Sequence, residues 1–154
     1  MEINYVRTTG NDPTFNELCA ELDAWLIEQR GKKLQMAKYD AYNHTDTIND
    51  VILAMADDFP IGCASYKYHA DGVAELKRVF IKEAFRCRGI AKELVGLVEN
   101  DAFFAGYHTM ILETGKAFEG SNALYSSMGY EIIDNYGPYV GLDDSVCMKK
   151  ELNF

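Results

Sequence analysis

Most of the signals that assign a sequence quickly are missing from this one. No CxxC pair occurs: Cys19, Cys63, Cys87 and Cys147 are separated by 44, 24 and 60 residues. A zinc site or a dithiol motif is therefore not expected, and four scattered thiols fit a reducing cytoplasm. The longest uncharged apolar run, Val51–Ala56, is far too short to cross a bilayer. The opening residues, MEINYVRTTG, hold an acid at position 2 and no apolar stretch, so no secretory signal is expected and the cytoplasm is the expected compartment. Neither GxGxxG nor the GxxxxGKS/T pattern occurs, which removes the main support for Rossmann and P-loop readings. No repeat, low-complexity segment or Pro/Gly/Ser linker divides the chain, and one domain over residues 1–154 is expected. Cations are also scarce, 15 Lys+Arg against 24 Asp+Glu, for a formal charge of −9. That balance argues against nucleic-acid or anionic-membrane binding, which needs a broad basic face.

What is present begins with enough apolar and aromatic material for a real core. The chain has 154 residues, 48% hydrophobic, with one tryptophan, ten tyrosines and eight phenylalanines. Disorder is excluded on those grounds. Ile3–Arg7 alternates like a strand. Asp12-Pro13 starts a helix, with a capping side chain followed by proline at the first helical position. Phe15, Leu18, Cys19, Leu22, Trp25 and Leu26 recur at helical spacing up to Gly31. Residues 32–49 give no firm assignment. Val51–Met55, Ile61–Tyr68 and Val73–Ile81 then read as an antiparallel meander joined by turns at Asp57-Asp58-Phe59-Pro60 and Ala70-Asp71-Gly72. A helix follows Gly89 and ends at Gly106, and a strand follows at Thr109–Glu113. This order implies a right-handed crossover to a parallel neighbour. A short helix at about Glu119–Met128 and a final antiparallel pair, Tyr130–Ile133 with Ser145–Met148, complete an α+β architecture. Its sheet is mixed and mostly antiparallel, with helices on its faces.

Charge is spread unevenly along the chain. Residues 77–92 carry Lys77, Arg78, Lys82, Arg86, Arg88 and Lys92 against Glu83 alone, so this window is +5 and the other 138 residues total −14. The island spans a strand-to-helix junction, where unpaired N–H groups and the helix dipole favour an anion. Gly89 permits close backbone approach, and Arg86 and Arg88 present forked donors suited to phosphate oxygens. A pyrophosphate site and a plain solvated basic loop both fit these residues.

The order of residues inside the island is more specific. Arg86-Cys87-Arg88-Gly89-Ile90-Ala91 fits R/Q-x-x-G-x-G/A, and Leu76-Lys77-Arg78-Val79-Phe80-Ile81 is similar to an L-x-R-L-Y-V strand. Downstream stand Leu112-Glu113-Thr114-Gly115 and Leu124-Tyr125-Ser126-Ser127-Met128-Gly129-Tyr130. Together these resemble the GNAT superfamily of N-acetyltransferases along essentially the whole chain. The resemblance implies the acyl-CoA N-acyltransferase fold, a twisted sheet of six or seven strands with a splayed central parallel pair. It implies acetyl-CoA as acyl donor and no metal, while the aromatic and polar segments 39–44 and 135–141 suit a small pocket and make a primary amine of a small molecule the expected acceptor.

Residue by residue, the resemblance places the pyrophosphate on the N–H groups of Arg86, Cys87, Arg88, Gly89, Ile90 and Ala91, with Lys92. The edge of Val79, Phe80 and Ile81 would pair with the pantetheine arm, and the Val79 N–H would polarise the acetyl carbonyl. Relatives often carry Asn seven residues before the motif tyrosine. Here Phe118 holds that position, and Asn122 is the nearby candidate contact. Tyr125 stands where the family keeps its acid tyrosine. Glu75 matches the base glutamate of the histone-acetylating branch, Glu113 is the rival base or a cation anchor, and water alone is the third choice. Asn43, His44, Tyr136 and Tyr139 are the candidate acceptor contacts. Two other readings stay open, a protein or peptide N-acetyltransferase and a non-enzymatic acyl-CoA sensor, as does a homodimer.

Overall fold

The computed structural model describes residues 2–31 and 47–154. Seven strands form one sheet: β1 (Ile3–Thr8), β2 (Asp50–Ala56), β3 (Phe59–Ala70), β4 (Val73–Ile81), β5 (Thr109–Gly115), β6 (Glu131–Ile133) and β7 (Ser145–Glu151). Their order is β1-β2-β3-β4-β5-β7-β6. Antiparallel pairing joins β1 to β2, β2 to β3, β5 to β7 and β6 to β7, whereas β4 and β5 are parallel. The parallel register runs only from Val73–Glu75 against Thr109–Ile111. The α+β mixed sheet expected from the sequence is the one observed, with three α-helices among the described residues: α1 (Pro13–Arg30), α2 (Ile90–Phe104) and α3 (Glu119–Ser127).

Two compact units make up the chain, Met1–Lys67 with Lys77–Val98 and Tyr68–Leu76 with Glu99–Phe154. The backbone passes from one to the other inside β3, β4 and α2. The first unit is organised by α1. Asp12 caps it by accepting from the Thr14 N–H at 2.8 Å, and the Thr8 hydroxyl donates to its second oxygen at 2.7 Å. Gly31, at φ 88°, ends the helix with its N–H on the Ile27 carbonyl. The inward stripe of Phe15, Leu18, Cys19 and Leu22 packs with Ile48, Val51, Leu53, Cys63 and Phe80 into one apolar cluster.

Strand β3 starts two residues earlier than its sequence pattern suggests. Phe59 and Pro60 belong to it, because the register slips between Ala54↔Gly62 and Met55↔Pro60 and leaves Ile61 as a bulge. Proline, which has no N–H to donate, is tolerated beside such an irregularity. The tight turn at Asp57-Asp58 is reached with Asp57 at φ 53°.

In the second unit, β5 is almost wholly buried between β4 and β7. Helix α3 stops at Gly129, φ 97°, where the Tyr130 N–H bonds the Tyr125 carbonyl at 3.0 Å. A buried charge fixes the same region: Glu99, 2% exposed, accepts from the Tyr130 hydroxyl at 2.7 Å and from Lys150 at 2.9 Å. Among the described residues no helix is long and apolar enough to cross a membrane.

Candidate active site

In the first unit, β4 leads into a single 3-10 turn at Glu83–Phe85 and then into the motif loop. The Arg86 guanidinium is partly committed to building that loop. Its Nε donates to the Ile81 carbonyl at 2.9 Å, and its plane lies 5.3 Å from the Trp25 ring and 5.8 Å from Phe80. Arg88 lies over Phe85 at 5.3 Å. Cys87 (φ 63°) and Gly89 (φ 79°) both adopt the left-handed conformation. Left-handed residues alternating with other conformations turn successive N–H groups toward a common point, an anion-binding nest. Helix α2 begins directly after it, and its first N–H groups have no intrahelical acceptor. Cys87, Arg88, Gly89 and Lys92 are exposed, while Ile90 anchors the first turn in the core at 5% exposure.

The basic island is smaller than its sequence count. Lys77 and Arg78 are inside, 7% and 6% exposed. Arg78 sits at φ 57° within β4 and spends its guanidinium on α1, on the Cys19 carbonyl and the Asp23 carboxylate at 2.9 Å each. Those bonds offset the steric cost of a left-handed arginine. Lys82 approaches Glu21 at 3.5 Å. The loop's outward charge therefore rests on four cations instead of six.

The carboxylate candidates lie in the second unit, and strand register brings them together. Glu75 pairs with Ile111, and Glu113 with Cys147. Paired residues share a sheet face and so do residues two apart, so Glu75, Glu113 and Cys147 lie on one face. Glu75 is 5% exposed and accepts from the Tyr136 hydroxyl at 2.6 Å. Burial, then the charge of Glu75 and its hydrogen bond, hold the Tyr136 phenol well above its ordinary range. Glu113 is half-buried. Burial pushes the Cys147 thiol up, and the charges of Glu113 and Glu75 add to the shift.

Tyr125 is 7% exposed, and burial followed by the Glu113 charge raises its phenol well above the usual range. Its ring meets Tyr130 edge-on at 5.8 Å. Asn122 donates to the Gly115 carbonyl at 3.1 Å, while its buried Oδ1 has no hydrogen-bond partner among the described residues. Such an acceptor suits an amide N–H like those of a pantetheine arm. Tyr139, 3% exposed, supports the Tyr136 ring edge-on at 5.5 Å. Val79, Phe80 and Ile81 form the end of β4 in the first unit. Asn43 and His44 lie outside the described residues.

Two residues at the carboxylates were not singled out from sequence. Cys147 faces Glu113 across the β5–β7 ladder, and His69 meets Tyr136 edge-on at 5.2 Å. The alternation of β7 was the available signal for Cys147, but using it requires the register. Among the described residues no group of three His, Cys, Asp or Glu could hold a metal ion.

The chain belongs to the acetyltransferase (GNAT) family, which it matches over residues 15–130. It is 31% identical over 93 residues to the IAA acetyltransferase of Azospirillum brasilense, a match covering 60% of this chain and 61% of that protein. The chain spans between 37% and 62% of the length of the curated relatives it matches. A Klebsiella pneumoniae structure assigned to the acyl-CoA N-acyltransferases superposes with TM-score 0.80 at 26% identity, covering 98% of both chains. The PaiA N-acetyltransferase of Thermoplasma acidophilum, solved in complex with coenzyme A, superposes with TM-score 0.73 at 21% identity over 98% of this chain and 99% of that one.

Proposed function

We propose that this chain is an N-acetyltransferase that moves the acetyl group of acetyl-CoA onto a primary amine of a small molecule by direct attack in a ternary complex. The observation that carries the reading is the buried carboxylate Glu75, set on the same sheet face as Glu113 in the unit that also holds the buried Tyr125. Glu75 and Tyr125 together speak against a non-enzymatic sensor of acyl-CoA. Family membership, the nest at Cys87–Gly89 and the coenzyme A held by the PaiA relative support acetyl-CoA as donor.

An alkyl ammonium, with a pKa of roughly 10, must lose a proton before it can attack. Glu75 takes that proton through a water. The amine lone pair then forms the C–N bond, the C–S bond breaks to release the CoA thiolate, and the surplus proton on the new amide nitrogen passes to water. Tyr125 meets the departing sulfur. Because its proton is held more tightly than an ordinary phenol's, full transfer to a thiolate of pKa about 8.5 runs uphill. Tyr125 thus contributes a hydrogen bond to the leaving group. The aromatic and polar composition of residues 135–141 favours a compact acceptor over an extended peptide.

A panel of primary amines set against lysine peptides and peptides with free amino termini, with released CoA thiol as readout, tests the reading. Turnover of small amines with inert peptides is expected. Preferential peptide turnover, or acetyl-CoA binding without turnover of any acceptor, would overturn it.

A further inference from the structure

We infer that Tyr136 is the positioning residue of the acid–base chemistry, its hydroxyl holding the Glu75 carboxylate in the orientation from which it receives the acceptor's proton. The inference rests on Glu75 being the base.

A glutamate carboxylate turns about a broad, roughly two-fold torsion, so packing of its stem alone leaves the oxygens loosely aimed. At Glu75 one oxygen is fixed from outside its own strand. The Tyr136 hydroxyl donates to Oε2 at 2.6 Å, the short distance of a charge-assisted O–H···O⁻ bond. The donor is sixty-one residues away in sequence and sits on the connection between β6 and β7.

That donor is itself held rigidly. Its ring is braced edge-on by His69 at 5.2 Å and by the buried Tyr139 at 5.5 Å. Gly137–Tyr139 is a single 3-10 turn with Pro138 at its start, which limits the backbone next to Tyr136. Asn135 ties the same turn together, donating to the Tyr139 and Leu142 carbonyls at 3.1 Å each. The phenol keeps its proton, since both burial and the carboxylate oppose its loss, so it acts as donor throughout the working range. Glu75, nearly buried, gains from it a bond that water cannot easily replace.

Little in this arrangement serves substrate binding. The hydroxyl points at the carboxylate, and the ring is boxed by two other rings. A group that aims a base without touching the substrate should affect turnover more than affinity.

The test is a double-mutant cycle of Tyr136→Phe and Glu75→Gln, using acetyl-CoA and the panel amine that is turned over fastest. Phenylalanine keeps the ring and its aromatic contacts, and a thermal melt on each variant checks the fold. Tyr136→Phe should lower kcat by about tenfold to a hundredfold, the scale of a misplaced catalytic group, with KM for acetyl-CoA within twofold. In the Glu75→Gln background the same substitution should change kcat by less than about twofold. If Tyr136→Phe retains full kcat, or loses the same factor in both backgrounds, the positioning role is wrong while Glu75 stands as base. If Glu75→Gln alone retains full kcat, the assignment of the base fails and this inference fails with it.

Discussion

At the scale of single residues, Tyr125 makes the sharpest prediction. It lies in the core at the end of α3 with its proton firmly held, so in the proposed mechanism its contribution falls on the departing sulfur and hardly on cofactor affinity. Tyr125→Phe is expected to reduce kcat by ~10²-fold, with the acetyl-CoA dissociation constant measured by calorimetry unchanged within twofold. Equal turnover by the variant would remove this tyrosine from the chemistry. As candidates, Tyr125 and Glu75 stand out in the sequence because each sits at a fixed offset from a motif glycine or arginine, and such offsets survive without knowledge of packing. The bond from Tyr136 to Glu75 was not legible. It spans sixty-one residues and depends on the path of an irregular connection, which no periodicity encodes. Cys147 was hidden for a related reason: its facing of Glu113 is a matter of register, and a slip of one residue would have sent it to the opposite face.

At the scale of elements, the meeting of β3 and the end of β4 is the most exacting. A Cβ built on Gly62 would lie 2.8 Å from the Phe80 carbonyl oxygen and 2.6 Å from the Ile81 Cδ1 atom. The Ile81 side chain can swing aside, but the Phe80 carbonyl belongs to the backbone. Gly62→Ala should therefore push the two strands apart at the edge proposed for the pantetheine arm. Overpacking of this kind costs about 1–3 kcal/mol, which for a chain of this size lowers Tm by roughly 3–10 °C. Acetyl-CoA affinity should fall with it, and a variant with unchanged melting and affinity would show that the edge tolerates the shift. Among the described residues nearly all the regular elements could be read beforehand, because α1, α2 and the strands each carry a clean apolar period or a marked end. The bulge at Ile61 could not, since Pro60 looks like turn punctuation until the pairing of Met55 is known. Nor could the inward turn of Arg78, a left-handed residue in mid-strand that no propensity favours.

At the scale of the whole molecule, the cluster of Cys19, Cys63 and Arg78 ties stability to pH. Cys63 Sγ lies 3.3 Å from the Arg78 carbonyl oxygen, and Arg78 Nη2 reaches the Cys19 carbonyl. A hydrogen bond from Cys63, helped by the Arg78 charge, brings the Cys19 thiol down from its ordinary 9.0 to about 7. The same partnership and complete burial push Cys63 well above 9.0. Between pH 7 and 9 the unfolded chain retains a Cys19 proton that the folded one has lost, so stability should rise with pH across that window. The slope is at most about 1.4 kcal/mol per pH unit, and the gain disappears as pH falls through 7. Above pH 9 Cys63 reverses the trend, because the folded state then holds the extra proton. Melting curves of the parent and Cys19→Ala from pH 6.5 to 9 should diverge as pH rises, and parallel curves would dismiss the effect. Net charge foretold none of this, since it counted Lys77 and Arg78 with the exposed island although both are buried in the sheet.

The paired left-handed residues Cys87 and Gly89 have one more consequence. The anion site proposed there is made of main-chain amides and cannot be deleted one side chain at a time. Truncating Arg86, Cys87, Arg88 or Lys92 to alanine leaves every N–H in place. An alanine scan would therefore undercount this loop, and sequence drift within it can proceed as long as the backbone keeps its two reversed turns. Such a site is inherited with the path of the chain more than with any residue on it.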